Sequence, residues 1–184
     1  MREKMGISGR VTITVMDEQG NVKRRKPGFL RRLLRLDGKP MKQTHHNIIT
    51  RQGDALIADA LMAIPARPKI TKETGYIQVG TGWTGKDTKN NTVCNKPLYM
   101  IFQKLDDGFP ALKETWGKSG DTTIVYRTTY TVGSIGANGI NEACLKNGNK
   151  DDSDCLAYAE LTPPVNVTRE DTLQVVWEIT MEGD

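Results

Sequence analysis

Asp171-Thr-Leu-Gln-Val-Val-Trp-Glu-Ile-Thr-Met181 is the stretch that decides the fold class. Leu173, Val175, Trp177, Ile179 and Met181 fall on every second position, which puts them on one face of a β-strand. Ile124, Tyr126, Thr128, Tyr130 and Val132 repeat the pattern upstream. A strand with one apolar face has to bury it on another layer, so several such strands predict a mainly-β chain built as an antiparallel β-sandwich. Trp177 is expected in the core, with its indole N–H seeking one acceptor.

Working outward, further strands are expected at 76–80, 98–104, 139–145 and 155–161. Val11-Thr-Ile-Thr-Val15 followed by Asp17-Glu-Gln-Gly-Asn21 opens the chain with a strand and a hairpin turn. One α-helix should start after Thr50, a good N-cap, and run to about Ile64. Leu56, Ile57, Ala60, Leu61 and Ile64 would be its apolar stripe, and Pro65 and Pro68 its stop. It would pack on an edge of the sandwich or cap one end. Residues 1–50 then form a β-hairpin with a basic insertion at about 22–42, and residues 51–184 the helix followed by the sandwich. All of this fits one globular domain of 184 residues with a sizeable core.

Charge is distributed unevenly. Residues 22–42 hold nine Lys or Arg (Lys23, Arg24, Arg25, Lys26, Arg31, Arg32, Arg35, Lys39, Lys42) against Asp37. A segment of net +8 in a chain of net +4 leaves −4 for everything else. The partner surface is therefore expected to be local. Pro27-Gly28 breaks the return strand, and 29–36 reads as a basic amphipathic turn or short helix. Phe29, Leu30, Leu33 and Leu34 group on one side, with Leu36 near the edge. An apolar stripe among arginines suits a groove on a protein partner, with the charges steering it. Salt-sensitive phosphate binding is the second reading. A membrane-surface helix and a solvated loop are two more.

Motifs of chemistry are weak. Gly80-Thr-Gly-Trp-Thr-Gly85 matches a dinucleotide fingerprint in letters only. The polar stretch after it is no helix whose N-terminus could receive a pyrophosphate. The glycines of Val79-Gly-Thr-Gly82 are expected to turn a buried strand through positive φ. His45 and His46, adjacent on a strand, point to opposite faces and chelate poorly. Asn147-Gly-Asn-Lys-Asp-Asp-Ser-Asp154 lacks the acid spacing of a calcium loop. Asp106-Asp107 reads as a turn before Gly108. The sequons at Asn90 and Asn166 are incidental in a chain expected to be made in the cytoplasm, given its charged start without an apolar stretch. No apolar run approaches the roughly 18–20 residues needed to span a bilayer. Cys94, Cys144 and Cys155 are no disulfide framework. Cys144 and Cys155 are expected as small half-buried thiols, with a bridge across a hairpin the weaker option. Thr162-Pro-Pro164 should end ladder pairing, since consecutive prolines donate no backbone hydrogen bond. Neither a cofactor, a metal nor a catalytic pair is expected.

Six pieces in order carry a resemblance. They are His46-Asn-Ile-Ile-Thr50, Ile77-Gln-Val-Gly-Thr-Gly82, the strand from Tyr126 to Val132, Gly139-Ile-Asn-Glu-Ala143, Thr162-Pro-Pro164 and Asp171-Thr-Leu-Gln-Val-Val-Trp177. Together they cover about 9–181, and the chain resembles small virion structural proteins of tailed bacteriophages. The resemblance implies a non-enzymatic part of the tail, collar, baseplate or fibre-attachment type, found in the virion after synthesis in the host cytoplasm. Capsid decoration, cement or head–tail connector roles are the alternative. The expected partners are other virion proteins and copies of itself, with nucleic acid behind them and neither membrane nor small-molecule substrate. Residues 22–42 depart from the pattern, because similar chains have a shorter strand return there. The expected partner-binding residues are Lys23, Arg24, Arg25, Lys26, Phe29, Leu30, Arg31, Arg32, Leu33, Leu34 and Arg35.

Overall fold

The alternating C-terminal stretch forms β10 (Thr172–Glu182) at the centre of a five-stranded antiparallel sheet. The computed structural model describes residues 6–34, 37–86, 89–98, 102–113 and 122–182. On one side of β10 lies β1 (Gly6–Met16), paired from Gly6↔Glu182 to Met16↔Thr172, with β2 (Lys42–His46) beyond it. On the other side lie β7 (Thr122–Tyr130) and β6 (Ala111–Lys113). A second sheet has the order β3 (Ile48–Ile49), β9 (Cys155–Val167), β8 (Ala137–Lys146), β4 (Tyr76–Gly80) and β5 (Gln103–Lys104).

The two sheets bury the apolar faces that the period-two pattern marks. Val11, Ile13, Val15, Leu173, Val175, Trp177 and Ile179 meet Ile77, Val79, Ala143, Leu145, Ala157 and Leu161 in one core. The Tyr130 hydroxyl donates to Ile77 O at 2.8 Å, so its polar end is satisfied on the opposite sheet. The chain is a mainly-β antiparallel sandwich. Trp177 is fully buried as expected, but its indole N–H finds no acceptor among the described residues.

Helix α2 (Arg51–Ala60) begins where the cap predicts, with Thr50 Oγ1 accepting from Gly53 N at 2.9 Å. The same hydroxyl donates to Cys155 O, tying the helix start to β9. Gly53 faces Leu156, and a Cβ there would stand 2.0 Å from the carbonyl oxygen. Only glycine allows this approach. The helix stops at Ala60 instead of about Ile64, and Leu61 and Ile64 are exposed instead of completing the stripe. Both side chains are 84% exposed, so packing does not reward another turn.

Three strand limits also differ. β7 ends at Tyr130, and Val132 lies exposed in the turn closed by Ser134 N to Thr131 O. Of the strand expected at 98–104, Leu98 N donates to Val79 O at 3.0 Å and Gln103 and Lys104 pair with β4, while 99–101 fall outside the described residues. β9 runs straight through Pro163 and Pro164. The ladder to β8 shifts register between Glu142↔Glu160 and Ile140↔Val165, so the prolines sit where no N–H is demanded.

Thr50 is therefore a two-way fastener. Thr50→Ala is expected to lower the unfolding free energy by about 1–2 kcal/mol, the usual cost of an N-cap, while Thr50→Ser keeps most of it. Urea unfolding of the three proteins checks this; an unchanged midpoint for the alanine variant would contradict it.

Candidate functional site

The basic insertion is a built arm. After β1 the turn at 17–21 closes through Asp17 N to Asn21 O and Gly20 N to Asp17 O, with Asp17 Oδ1 also taking the Gln19 and Asn21 N–H groups. The chain then returns beside β1. Lys23 N donates to Val15 O (2.9 Å), Val15 N to Met41 O (2.9 Å) and Met41 N to Lys23 O (2.7 Å). These three bonds join the outgoing and returning arm segments to one point of the sheet. Arg25 N to Lys39 O and the Arg24↔Pro40 bridge carry the ladder outward. At the tip is α1 (Phe29–Leu33), the short helix expected there.

Charges secure the root. Lys23 Nζ lies 2.7 Å from Asp171 Oδ1, while Asp171 Oδ2 accepts from Thr168 N and Thr168 Oγ1, each at 2.8 Å. Burial pushes the Asp171 carboxyl up, but Lys23 and Thr168 outweigh it and hold the group below the usual carboxylate range. Arg24 reaches Gly38 O at 3.2 Å and Asp37 at 3.7 Å. A cleft of about 380 Å³ lies between the root, the 23–26 basic run and residues 164–171.

The eleven predicted partner-binding residues thus divide. Lys23 and Arg24 hold the arm. Arg25, Lys26 and Arg32 are exposed, and Phe29, Leu30, Leu33 and Leu34 are 66–80% exposed. Arg31 lies in α1, but its side chain is outside the described residues, as are Arg35 and Leu36. The tip displays four large apolar side chains that nothing among the described residues covers.

Sequence reasoning missed a second feature, a buried polar layer on the outer face of the second sheet. Gln78, Glu142, Cys144, Lys146 and Tyr158 all point away from the sandwich core and are covered by the segment after β4. Glu142 has no solvent exposure. Its Oε1 accepts from Gly82 N (2.7 Å) and Lys96 N (2.9 Å); its Oε2 accepts from Asn95 N (2.9 Å) and the Tyr158 hydroxyl (2.6 Å). Four donors occupy the lone pairs of both oxygens, so the carboxylate acts as a staple. Lys146 donates to Thr92 O at 3.0 Å and Asp151 O at 2.9 Å.

This layer explains Gly80-Thr-Gly82, and corrects the expectation of positive φ, which neither glycine has. A Cβ on Gly80 would meet Glu142 Oε1 at 2.5 Å, and one on Gly82 would meet Lys96 N at 2.5 Å. The glycines are there for close approach. Alternating Glu142, Cys144 and Lys146 on one strand was the available signal, and it reads as solvent-facing until a third layer is known.

The cysteines are corrected too. Cys94, Cys144 and Cys155 are fully buried free thiols, with Cys94 Sγ and Cys144 Sγ 3.7 Å apart. Burial pushes the Cys94 and Cys155 thiols up. Among the described residues no group of three His, Cys, Asp or Glu side chains is arranged to hold a metal ion. His45 and His46 alternate across β2 as expected, and burial pulls the partly covered His45 down. The 147–154 loop is closed on itself by Asp154 N to Asn147 Oδ1 at 2.8 Å, and Asp106 clasps Arg127 and Thr129.

No known protein family, curated protein or solved structure matches the chain.

Two outcomes are expected. Glu142→Gln keeps one acceptor oxygen for three backbone N–H groups and should cost about 2–5 kcal/mol, from unsatisfied buried donors at roughly 1–3 kcal/mol each. Denaturant unfolding measures it, and a loss under about 1 kcal/mol would remove the staple role. For Asp171 the folded-state pKa is depressed, so its contribution is present above the ordinary value of 3.8 and disappears as pH falls through the lower folded value. Stability measured against pH should show that acid loss in the native chain and lack it in Asp171→Asn.

Proposed function

We propose that this chain is a non-enzymatic structural subunit of a tailed-phage virion, of the tail, collar, baseplate or fibre-attachment type, with a capsid decoration or connector role as the alternative location. It works by protein–protein contact through the 22–42 arm, with other virion proteins and copies of itself as partners. Made in the host cytoplasm, it ends in the particle.

The observation that carries this reading is the arm's construction. A short helix and its C-cap, together bearing four exposed apolar side chains, are held out on a hydrogen-bonded ladder from the sheet. Exposed large apolar residues gathered on one projection mark an interaction site more than scattered ones do. The exposed Arg25, Lys26 and Arg32 beside them supply steering and register rather than the contact's core.

The rival nucleic-acid reading draws less support. Lys23 and Arg24 are engaged within the chain, and Phe29 is the segment's lone aromatic for base stacking. The non-enzymatic part is supported by Glu142 and Lys146, the buried charged pair of β8, which are engaged in holding loop backbone and the Tyr158 hydroxyl.

The test compares particle incorporation for the native chain, Phe29→Ser with Leu33→Ser, and Arg25→Ser with Lys26→Ser and Arg32→Ser. The apolar pair should be lost from purified particles, and the charge triple should incorporate slowly and with strong salt dependence. Normal incorporation of both variants, with nucleic-acid binding lost in the charge triple, would sink the proposal and promote genome contact.

A further inference from the structure

We propose that the arm tip of one copy of this chain docks into an apolar groove at the opposite end of a second copy, joining copies head to tail. This deepens the structural-subunit reading and rests on it.

The groove, of about 290 Å³, opens where α2 and the following segment meet the sandwich. Leu56, Ile57, Leu156, Ile124, Tyr126 and Ile179 line it. Leu61, Met62 and Ile64, 56–84% exposed, stand beside it as a lip. The early end of α2 at Ala60 is what leaves this lip unpacked. Among the described residues ten large hydrophobic side chains are exposed, and seven of them belong to the arm tip or the lip. Exposed apolar surface is therefore concentrated in two patches, one convex and one beside a cavity.

The two patches lie at opposite ends of the same strand pair. The arm leaves the sheet after Met16, which pairs with Thr172. The groove is reached at Ile179 and Met181, and Met181 faces Ile7 at the other end of β1. Seven to nine residues of β10 separate them, about 23–30 Å at ~3.3 Å per residue. The ladder at Lys23–Arg25 and Lys39–Met41 holds the tip on its own side, so the occupant of one chain's groove is another chain's arm. Charge favours the same pairing: an arm segment of net +8 approaches a body of net −4. At the groove wall Asp59 is tied to Arg67 at 2.8 Å and Lys69 stands beside them, so the attraction is a whole-body one and the apolar side chains alone form the seat. Because the two patches differ, the contact is heterologous, and each copy joined leaves one arm and one groove unused until a ring closes or a filament grows.

Complementation tests this geometry. The arm variant is Phe29→Ser with Leu33→Ser; the groove variant is Ala60→Arg, at an exposed residue of the groove wall, with Leu61→Arg as a second version. Circular dichroism and unfolding midpoints matching the native chain establish that each is folded. In sedimentation velocity the native chain should associate as concentration rises, and each variant alone should stay monomeric. Mixed in equal amounts, the arm variant offers its groove and the groove variant its arm, so association should resume and stop at the dimer. Groove variants that associate like the native chain, or a mixture that stays monomeric, would overturn the proposal. So would a native chain that is monomeric up to its solubility. If that happens while the arm variant is still lost from particles, the docking inference falls and the structural-subunit reading stands. Head-to-tail association in solution with normal particle incorporation of the arm variant overturns the subunit reading instead.

Discussion

A carboxylate removed from water is tolerable only when its lone pairs are occupied, and the arrangement around Glu142 meets that condition with three backbone N–H groups and one hydroxyl. Desolvating the charge costs several kcal/mol, and charge-assisted hydrogen bonds, roughly twice as strong as neutral ones, offset it. The covering segment cannot lift without stranding that charge. Lys146, four residues along the same face of β8, pins Thr92 and the 147–154 hairpin in the same way. The two groups stand about 13 Å apart at ~3.3 Å per residue, so each binds its own loop backbone and neither neutralises the other. The second sheet is thereby buried on both faces across 77–80, 142–146 and 155–159, where a third layer covers the sandwich.

Rigidity in the sandwich is what lets an arm be useful. β1 pairs β10 along its whole length, linking residues near the two ends of the chain in the middle of a sheet. The arm interrupts the β1–β2 hairpin, a connection that tolerates length: each doubling of a flexible loop adds only about 0.6 kcal/mol of closure entropy. The bonds among Val15, Lys23 and Met41 restore the ladder at the point of insertion. The arm is thus added to the sheet without taking a hydrogen bond from it.

Period-two burial made the sandwich legible, since Val175, Trp177 and Ile179 allow no other face to be the core. Thr50 was legible as a cap because a local side chain to backbone bond decides it. What escaped depended on partners distant in sequence. Pro163 and Pro164 read as a stop, yet a register shift against β8 absorbs them. Gly80 and Gly82 read as turn glycines, yet their role is to clear space for Glu142, some sixty residues on. Leu61 and Ile64 read as helix stripe because periodicity reports amphipathicity and not whether a facing surface exists. The arm's residues were identifiable by composition; its groove was not, because its walls come from α2, β7, β9 and β10 and meet only in three dimensions.

Buried polar groups and exposed apolar groups occupy separate parts of this chain. The groove is lined mainly by aliphatic side chains, with Asp59, Arg67 and Lys69 at its wall, while the buried Glu142 and Lys146 hold loop backbone and the Tyr158 hydroxyl. Apolar residues, which a soluble monomer gains by hiding, are instead set on a projection and on a lip. That arrangement leaves apolar area in contact with water, a cost that covering the two surfaces removes. An insertion rooted on a completed ladder can change its tip while the core beneath it stays the same.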